Sequence, residues 1–235
     1  CTFLVCRRTT WNAQNHPTVA QMEARGAKFQ YLSLPPADIS ATEIRNQLAM
    51  HTTPPDLPPQ VLEYIRIMGL YGQEPSPEGA AAMYPKLREA LSEKRLVHSL
   101  LVASTARRLA RLHGLNEAEC AMAGLLHDCA KCMPLQTLQR IAREHRLLLD
   151  KETFGNENLL HGPVGAVVAE TDYGVTSPNV LSAIRCHTTG RVGMLPTDMV
   201  LYLADKIEPS RRFYPALEEV RTLAERCRSA AAEIG

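Results

Sequence analysis

No stretch of this 235-residue chain approaches the roughly 18 consecutive apolar positions of a membrane-spanning helix. No basic-then-apolar leader opens it. An excess of charge of either sign is also missing: 26 Lys and Arg face 25 Asp and Glu, for a formal net charge of +1. That balance removes the global electrostatic case for a nucleic-acid or membrane partner. A disulfide pattern is lacking too, since the seven cysteines are odd in number and irregular in spacing. Reduced thiols follow, and with them the expectation of a cytoplasmic protein. Cys129 and Cys132 make one C-x-x-C, but no second pair stands at zinc-finger spacing, so small core thiols are expected.

What is present is an ordinary globular composition, 45% hydrophobic and 22% charged, in a chain long enough for one large or two small domains. Residues 1–8 and 28–34 read as strands, with a short helix across 15–25. Ser40, with Glu43 three residues on, has the form of a capping box for a helix that runs to about Ala49. Pro54, Pro55, Pro58 and Pro59 break it, and a helix over 60–68 ends at Gly69. Gln73-Glu-Pro-Ser-Pro-Glu-Gly79 is linker by composition. The expected organisation is a first segment at 1–75, a linker at 76–84 and a helical domain at 85–235.

In that last part strong β runs are missing. Leu87, Leu91, Leu96, Leu100, Ala103, Ala106, Leu109 and Ala110 predict one helix across 84–112, closed by Gly114. Asn116, with Glu119 three on, starts a helix that runs into His127-Asp128. Pro134 begins another, residues 147–157 read as a loop, and His161 opens a helix. Ser177-Pro178 and Thr197 start two more, and an amphipathic helix closes the pattern over 215–231.

Gly124-Leu-Leu-His-Asp-Cys-Ala-Lys131 places a histidine, an aspartate and a lysine at the end of an apolar run. Imidazole nitrogen and carboxylate oxygen are good metal ligands, although adjacent polar residues at a helix end also serve as caps. Further histidines at His98, His161 and His187 lie in or beside helical segments. Asp205 sits in an otherwise apolar helix, where a carboxylate is costly unless paired or metal-bound. The conjunction in one helical domain points to a metal site.

Two resemblances give these patterns a family context. Ile39-Ser-Ala-Thr-Glu-Ile-Arg45, then Val61-Leu-Glu-Tyr-Ile65 and Gly69-Leu-Tyr-Gly72, resembles the C-terminal end of bacterial nicotinate mononucleotide adenylyltransferases. The resemblance implies a short α/β, Rossmann-like fragment with Ser40, Thr42 and Arg45 as a phosphate motif at a helix N-terminus. The family's His-x-Gly-His is absent, so the expectation is a remnant, from a truncated fusion or a decayed domain.

The words Ala123-Gly-Leu-Leu-His-Asp-Cys-Ala-Lys131, Leu160-His-Gly-Pro-Val-Gly-Ala166, Ala183-Ile-Arg-Cys-His-Thr-Thr-Gly190 and Tyr202-Leu-Ala-Asp-Lys-Ile-Glu-Pro-Ser-Arg211 resemble bacterial HD-domain symmetrical diadenosine tetraphosphate hydrolases. The one departure is Cys129, where that family has an aliphatic or aromatic residue. The implied fold is an all-helical HD-domain bundle, so the whole chain is expected to be mainly α.

The implied ligands of iron are His98, His127, Asp128 and Asp205, with a di-iron centre or another divalent metal as open alternatives. His161 and His187 match positions that face the phosphates or a second metal. Arg95, Lys131, Thr188, Gly190 and Arg211 match substrate-binding positions. Asp128, Lys131 and His187 carry the implied catalytic roles. The implied reaction splits diadenosine tetraphosphate into two ADP, with no nucleic acid or membrane involved and a homodimer left open. Other readings are a different HD nucleotide phosphohydrolase, a metal- and ADP-binding regulator, and a bifunctional protein with adenylyltransferase activity.

Overall fold

The computed structural model describes residues 2–6, 17–32 and 39–226. The chain divides into two compact units, Cys1–Asp56 and Leu57–Gly235. In the first unit β1 (Thr2–Cys6) and β2 (Lys28–Leu32) pair in parallel, Thr2 opposite Lys28 and Cys6 opposite Leu32. A parallel pair needs a crossover, and α1 (Pro17–Ala24) lies within it. α2 (Ala41–Ala49) follows β2, and at its start the Ser40 hydroxyl accepts the Glu43 N–H at 3.3 Å. This small βαβ unit agrees with the α/β fragment expected from the sequence.

The second unit is helical. Its elements are α3 (Pro59–Met68), α4 (Ala80–Ala90), α5 (Glu93–His113), α6 (Glu117–Leu126), α7 (Leu135–Glu144), α8 (Lys151–Gly155), α9 (Glu157–Thr171), α10 (Pro178–Cys186), α11 (Pro196–Ile207) and α12 (Leu217–Arg226). α5 is the longest and packs against α3, α6 and α11, while α9 and α11 flank α10. Leu100, Val102, Ala103, Ala106 and Leu109 of α5 meet a core that includes Leu125 and Leu126 of α6, Ile184 of α10 and Leu201 of α11.

α5 and α6 come unusually close at Gly124. A Cβ there would stand 2.7 Å from the Ala103 Cα and 2.8 Å from the Ala103 nitrogen. Only glycine lets the two backbones approach so far.

Several expected boundaries move. The single helix over 84–112 is two helices, because Ser92 leaves the helical conformation and its hydroxyl accepts the Arg95 N–H at 3.4 Å. The 147–157 loop contains α8, capped by Asp150, whose carboxylate accepts the Thr153 N–H at 2.8 Å. His161 does not open its helix: Asn156 caps α9, and His161 lies in its second turn. α11 begins at Pro196, one residue before Thr197. The expected extensions of the first strand to Arg8, of the second strand to Leu34 and of the last helix to Ala231 lie outside the described residues.

The second unit begins at Leu57, before the linker expected at 76–84. The physical reason is a buried ion pair. Arg107 of α5 donates to both Glu63 carboxylate oxygens of α3, at 2.7 and 3.1 Å. The same guanidinium donates to the Ser76 hydroxyl at 3.1 Å and to the Ser76 carbonyl at 3.0 Å. An arginine with four such acceptors fastens α3 and the following turn to the bundle.

Candidate metal centre

Five helical segments bring their polar residues to one place. Arg95 and His98 lie one turn apart on α5, so they share a face. α6 runs out at His127, and Asp128 and Lys131 occupy the turn that follows. Asn158 and His161 are one turn apart on α9. α10 ends into His187. Asp205 lies in the last turn of α11, and Glu208 caps its end.

His98, His127, Asp128, His161, His187 and Asp205 are all buried. Ligand atoms of His98, His127 and Asp128 lie within 4.8 Å of one another, and so do those of Asp128, His161 and His187. Asp128 belongs to both groups, with one oxygen toward each. Its Oδ2 is 3.5 Å from His127 Nε2 and 2.9 Å from Arg95 Nη1. Its Oδ1 is 3.2 Å from His161 Nε2 and 3.8 Å from His187 Nε2. Asp205 Oδ1 stands 3.1 Å from His98 Nε2 and 3.7 Å from His127 Nε2.

The ring protons can be placed by what each ring touches. His127 Nδ1 donates to the Gly124 carbonyl at 2.7 Å, and His187 Nδ1 donates to the Ile184 carbonyl at 2.8 Å. His161 Nδ1 faces the Glu157 carbonyl at 3.2 Å. A carbonyl can only accept, so in the neutral rings of His127 and His187 the proton sits on Nδ1 and Nε2 presents a lone pair. His127 Nε2 is fully buried and has no hydrogen-bond partner. It points its lone pair at two carboxylates. His161 Nε2 and His187 Nε2 face each other at 3.1 Å. Two nitrogens bound at about 2.1 Å and at right angles stand about 3.0 Å apart, the spacing of neighbouring ligands on one ion. The donor set is nitrogen and oxygen only, because the buried Cys129 thiol donates to the Gly165 carbonyl instead. These residues fit a divalent metal of the imidazole-and-carboxylate class.

The electrostatics agree. Burial pushes His127 down and pushes His187 down to about 3, so both are neutral near pH 7. Burial opposes ionisation of Asp128, but His127 and His161 beside it hold the carboxyl well below the usual range. Burial likewise opposes Asp205, and the hydrogen bond from His98 and the charges around it prevail. Burial would lower His98, yet its contacts with Asp205 and Glu208 outweigh that and raise it.

Cations surround the cluster. Lys131 Nζ donates to Asn158 Oδ1 at 3.0 Å and lies 3.4 Å from His161 Nδ1. Lys206 Nζ donates to Asp205 Oδ2 at 2.7 Å. Arg211 donates to both the carbonyl and the carboxylate of Asp205. On the His98 side a cleft of about 440 Å³ opens, lined by Ser92, Lys94, Arg95, Glu208, Ser210, Arg211 and Arg212 besides His98. Thr188 follows His187, with its hydroxyl oxygen buried and unpartnered. Gly190 adopts φ of +66° in the same turn, beside the Met194 sulfur. Ser40, Thr42 and Arg45 lie in the first unit, where Arg45 Nη2 donates to the Thr42 hydroxyl at 3.3 Å.

Sequence reasoning assigned no role to Glu208, Lys206 or Asn158. Glu208 is buried and accepts from His98 Nδ1 at 3.2 Å and from the Ser210 N–H at 2.6 Å. The available signal was its spacing, one helical turn beyond Asp205 and just before Pro209.

Residues 95–210 match the HD domain family, and this segment contains every histidine and aspartate of the cluster. A Staphylococcus aureus protein named symmetrical bis(5'-nucleosyl)-tetraphosphatase is 41% identical over 137 residues, covering 58% of this chain and 70% of that protein. The chain belongs to the HD-domain hydrolases. This HD-domain hydrolase also resembles a Mycoplasma genitalium protein named probable nicotinate-nucleotide adenylyltransferase/Ap4A hydrolase, at 31% identity over 183 residues. That match covers 78% of this chain but 47% of the relative, whose name joins the two resemblances seen in the sequence. A crystal structure of a Clostridium acetobutylicum protein, titled a predicted HD superfamily hydrolase involved in NAD metabolism, shares 37% identity and a TM-score of 0.59. It covers 64% of this chain, and this chain covers 82% of it. Among the described residues, no helix of the HD-domain hydrolase is long and apolar enough to cross a membrane.

Proposed function

We propose that this HD-domain hydrolase cleaves dinucleoside tetraphosphates symmetrically, diadenosine tetraphosphate and water giving two ADP, with two iron ions in the histidine–aspartate cluster. The observation that carries the reading is the buried lone pair of His127 Nε2, aimed at Asp128 and Asp205 with no partner. A metal cation held between these groups makes that arrangement favourable. His98, His127, Asp128 and Asp205 would hold one ion; Asp128, His161 and His187 would hold the other. A bound pair of ions supplies Lewis acidity and lowers the pKa of a bound water toward neutrality.

The chain's own groups do the rest. Asp128 orients the water between the two sets of ligands. The water oxygen ends on one inner phosphorus, and the bridging oxygen leaves with the second ADP. Lys131, fixed by Asn158 next to His161, offsets charge on the phosphoryl oxygens. Arg95 and Arg211 do so from the His98 side. Thr188 and Gly190 contribute to the substrate face next to His187. Residues 85–235 form the functional domain, with α3 as its brace. The protein works in the cytoplasm, which suits the buried unpaired thiols of Cys120, Cys129 and Cys186.

Chromatography of the products tests the reaction, and metal analysis tests the site. Two ADP per substrate and two irons per chain are expected. AMP with ATP as products overturns symmetrical cleavage, and one ion per chain overturns the shared site. The His127→Ala variant loses metal and turnover; full activity in it sinks the reading.

A further inference from the structure

The cleft beside His98 carries more positive charge than the catalytic cluster uses. Four cations line it: Lys94, Arg95, Arg211 and Arg212. Arg95 is engaged with Asp128, and Arg211 with Asp205. The cleft's one carboxylate, Glu208, accepts from His98 and from the N–H and hydroxyl of Ser210. Lys94 and Arg212 are exposed and have no carboxylate partner among the described residues. Lys94 is also four residues before His98 on α5, so both point to one side of that helix. Arg212 enters from the turn after α11. Two unneutralised cations thus line a cleft that also contains His98.

We propose that Lys94 and Arg212 form an outer clamp for the diphosphate of one nucleoside-diphosphate half of the substrate, and so set affinity for the polyphosphate without touching the reacting phosphorus. The proposal extends the hydrolase reading above. The two sides of the cluster then have different tasks. On the His161 side, Lys131 works close to the scissile bond. On the His98 side, Arg95 and Arg211 serve the ligand carboxylates and the inner phosphates, while Lys94 and Arg212 meet phosphates further out. Charge contacts of this exposed kind add modestly to affinity and are weakened by salt.

The test uses the iron-loaded full chain, with ADP as the probe in calorimetry and diadenosine tetraphosphate as the substrate in kinetics. The double variant Lys94→Gln/Arg212→Gln is expected to weaken ADP binding and raise KM about tenfold, the scale of two exposed charge contacts. Its kcat, metal content and melting temperature stay near wild type, and its salt dependence becomes shallower. The exchange Lys94→Arg/Arg212→Lys restores binding. The control Arg146→Gln/Lys151→Gln removes the same net charge elsewhere in the domain and leaves ADP affinity unchanged. ADP affinity and KM within twofold of wild type in the Lys94/Arg212 double variant overturn the clamp, as does an equal loss in the control or a wild type that binds no ADP. A wild type that binds ADP through Lys94 and Arg212 yet cleaves no tetraphosphate refutes the hydrolase reading and leaves the clamp standing.

Discussion

Gly124→Ala tests how the fold sets the metal site without touching a ligand. The new Cβ would stand 2.7 Å from the Ala103 Cα, 2.8 Å from its nitrogen and 3.0 Å from the Val102 carbonyl carbon. All three are backbone atoms of α5, so no side chain can swing away. Carbon atoms settle about 3.5–4.0 Å apart, so α6 must move off α5 by about 1 Å. Overpacking of this kind costs about 1–3 kcal/mol, and the better helix propensity of alanine returns about 1 kcal/mol. A domain of this size then loses a few degrees of melting temperature, by about 2–4 °C per kcal/mol. The larger effect is on the site. The Gly124 carbonyl holds His127 Nδ1 at 2.7 Å, so the ligand moves with the helix. A misplacement of about 1 Å costs about 100-fold in turnover. Melting curves, metal analysis and tetraphosphate turnover on one preparation separate these effects. Gly155→Ala, at the exposed end of α8 with nothing within 4 Å of the new Cβ, is the neutral control. A Gly124→Ala variant with wild-type turnover and metal content refutes the close-approach reasoning.

Three further outcomes follow from the same geometry. Glu208→Gln removes the carboxylate behind His98 and is expected to lower metal affinity about 10–100-fold while the fold persists, measured by competition with a chelator. Glu63→Ala strands the buried Arg107 and is expected to cost about 3–5 kcal/mol in urea unfolding, whereas Glu63→Leu with Arg107→Met is near neutral. The metal-free protein loses stability as pH falls below 6.5, because the unfolded chain protonates His127 and His187 there while the folded chain keeps His187 neutral down to about 3. His187 contributes about 1.4 kcal/mol per pH unit in that window and His127 adds to it in the same direction, and a urea midpoint that does not shift between pH 6.5 and 5 contradicts this. His98 does not cancel this loss: its raised pKa adds stability as pH falls toward 6.5 and changes nothing further below it.

The cluster was legible in the sequence because buried polar residues are costly, so histidines and an aspartate inside apolar helical words need a common reason. Its membership was legible; its wiring was not. Glu208 read as a helix end because a carboxylate before proline is also an ordinary surface residue. The break at Ser92 was hidden because Leu87, Leu91 and Leu96 continue the apolar stripe through it. α8 escaped because its five residues are too few to show a period. The role of α3 was hidden for a different reason. Its partner Arg107 is on the other side of the presumed linker, and nothing local marks an arginine as buried.

One device recurs at the centre of the site. A helix leaves its last carbonyls without intrahelical partners, and its C-terminal end carries partial negative charge. α6 and α10 both end at a histidine that turns back to donate Nδ1–H to the carbonyl three residues earlier, Gly124 for His127 and Ile184 for His187. In each case one contact satisfies an orphan acceptor, fixes the tautomer and aims Nε2 outward. Both helix ends therefore direct negative potential and a lone pair toward Asp128, His127 facing one of its oxygens and His187 the other. The His-Asp sequence at the end of an apolar run is thus a cap and a ligand pair together. The two readings of that motif, which compete in the sequence, are one arrangement in the fold.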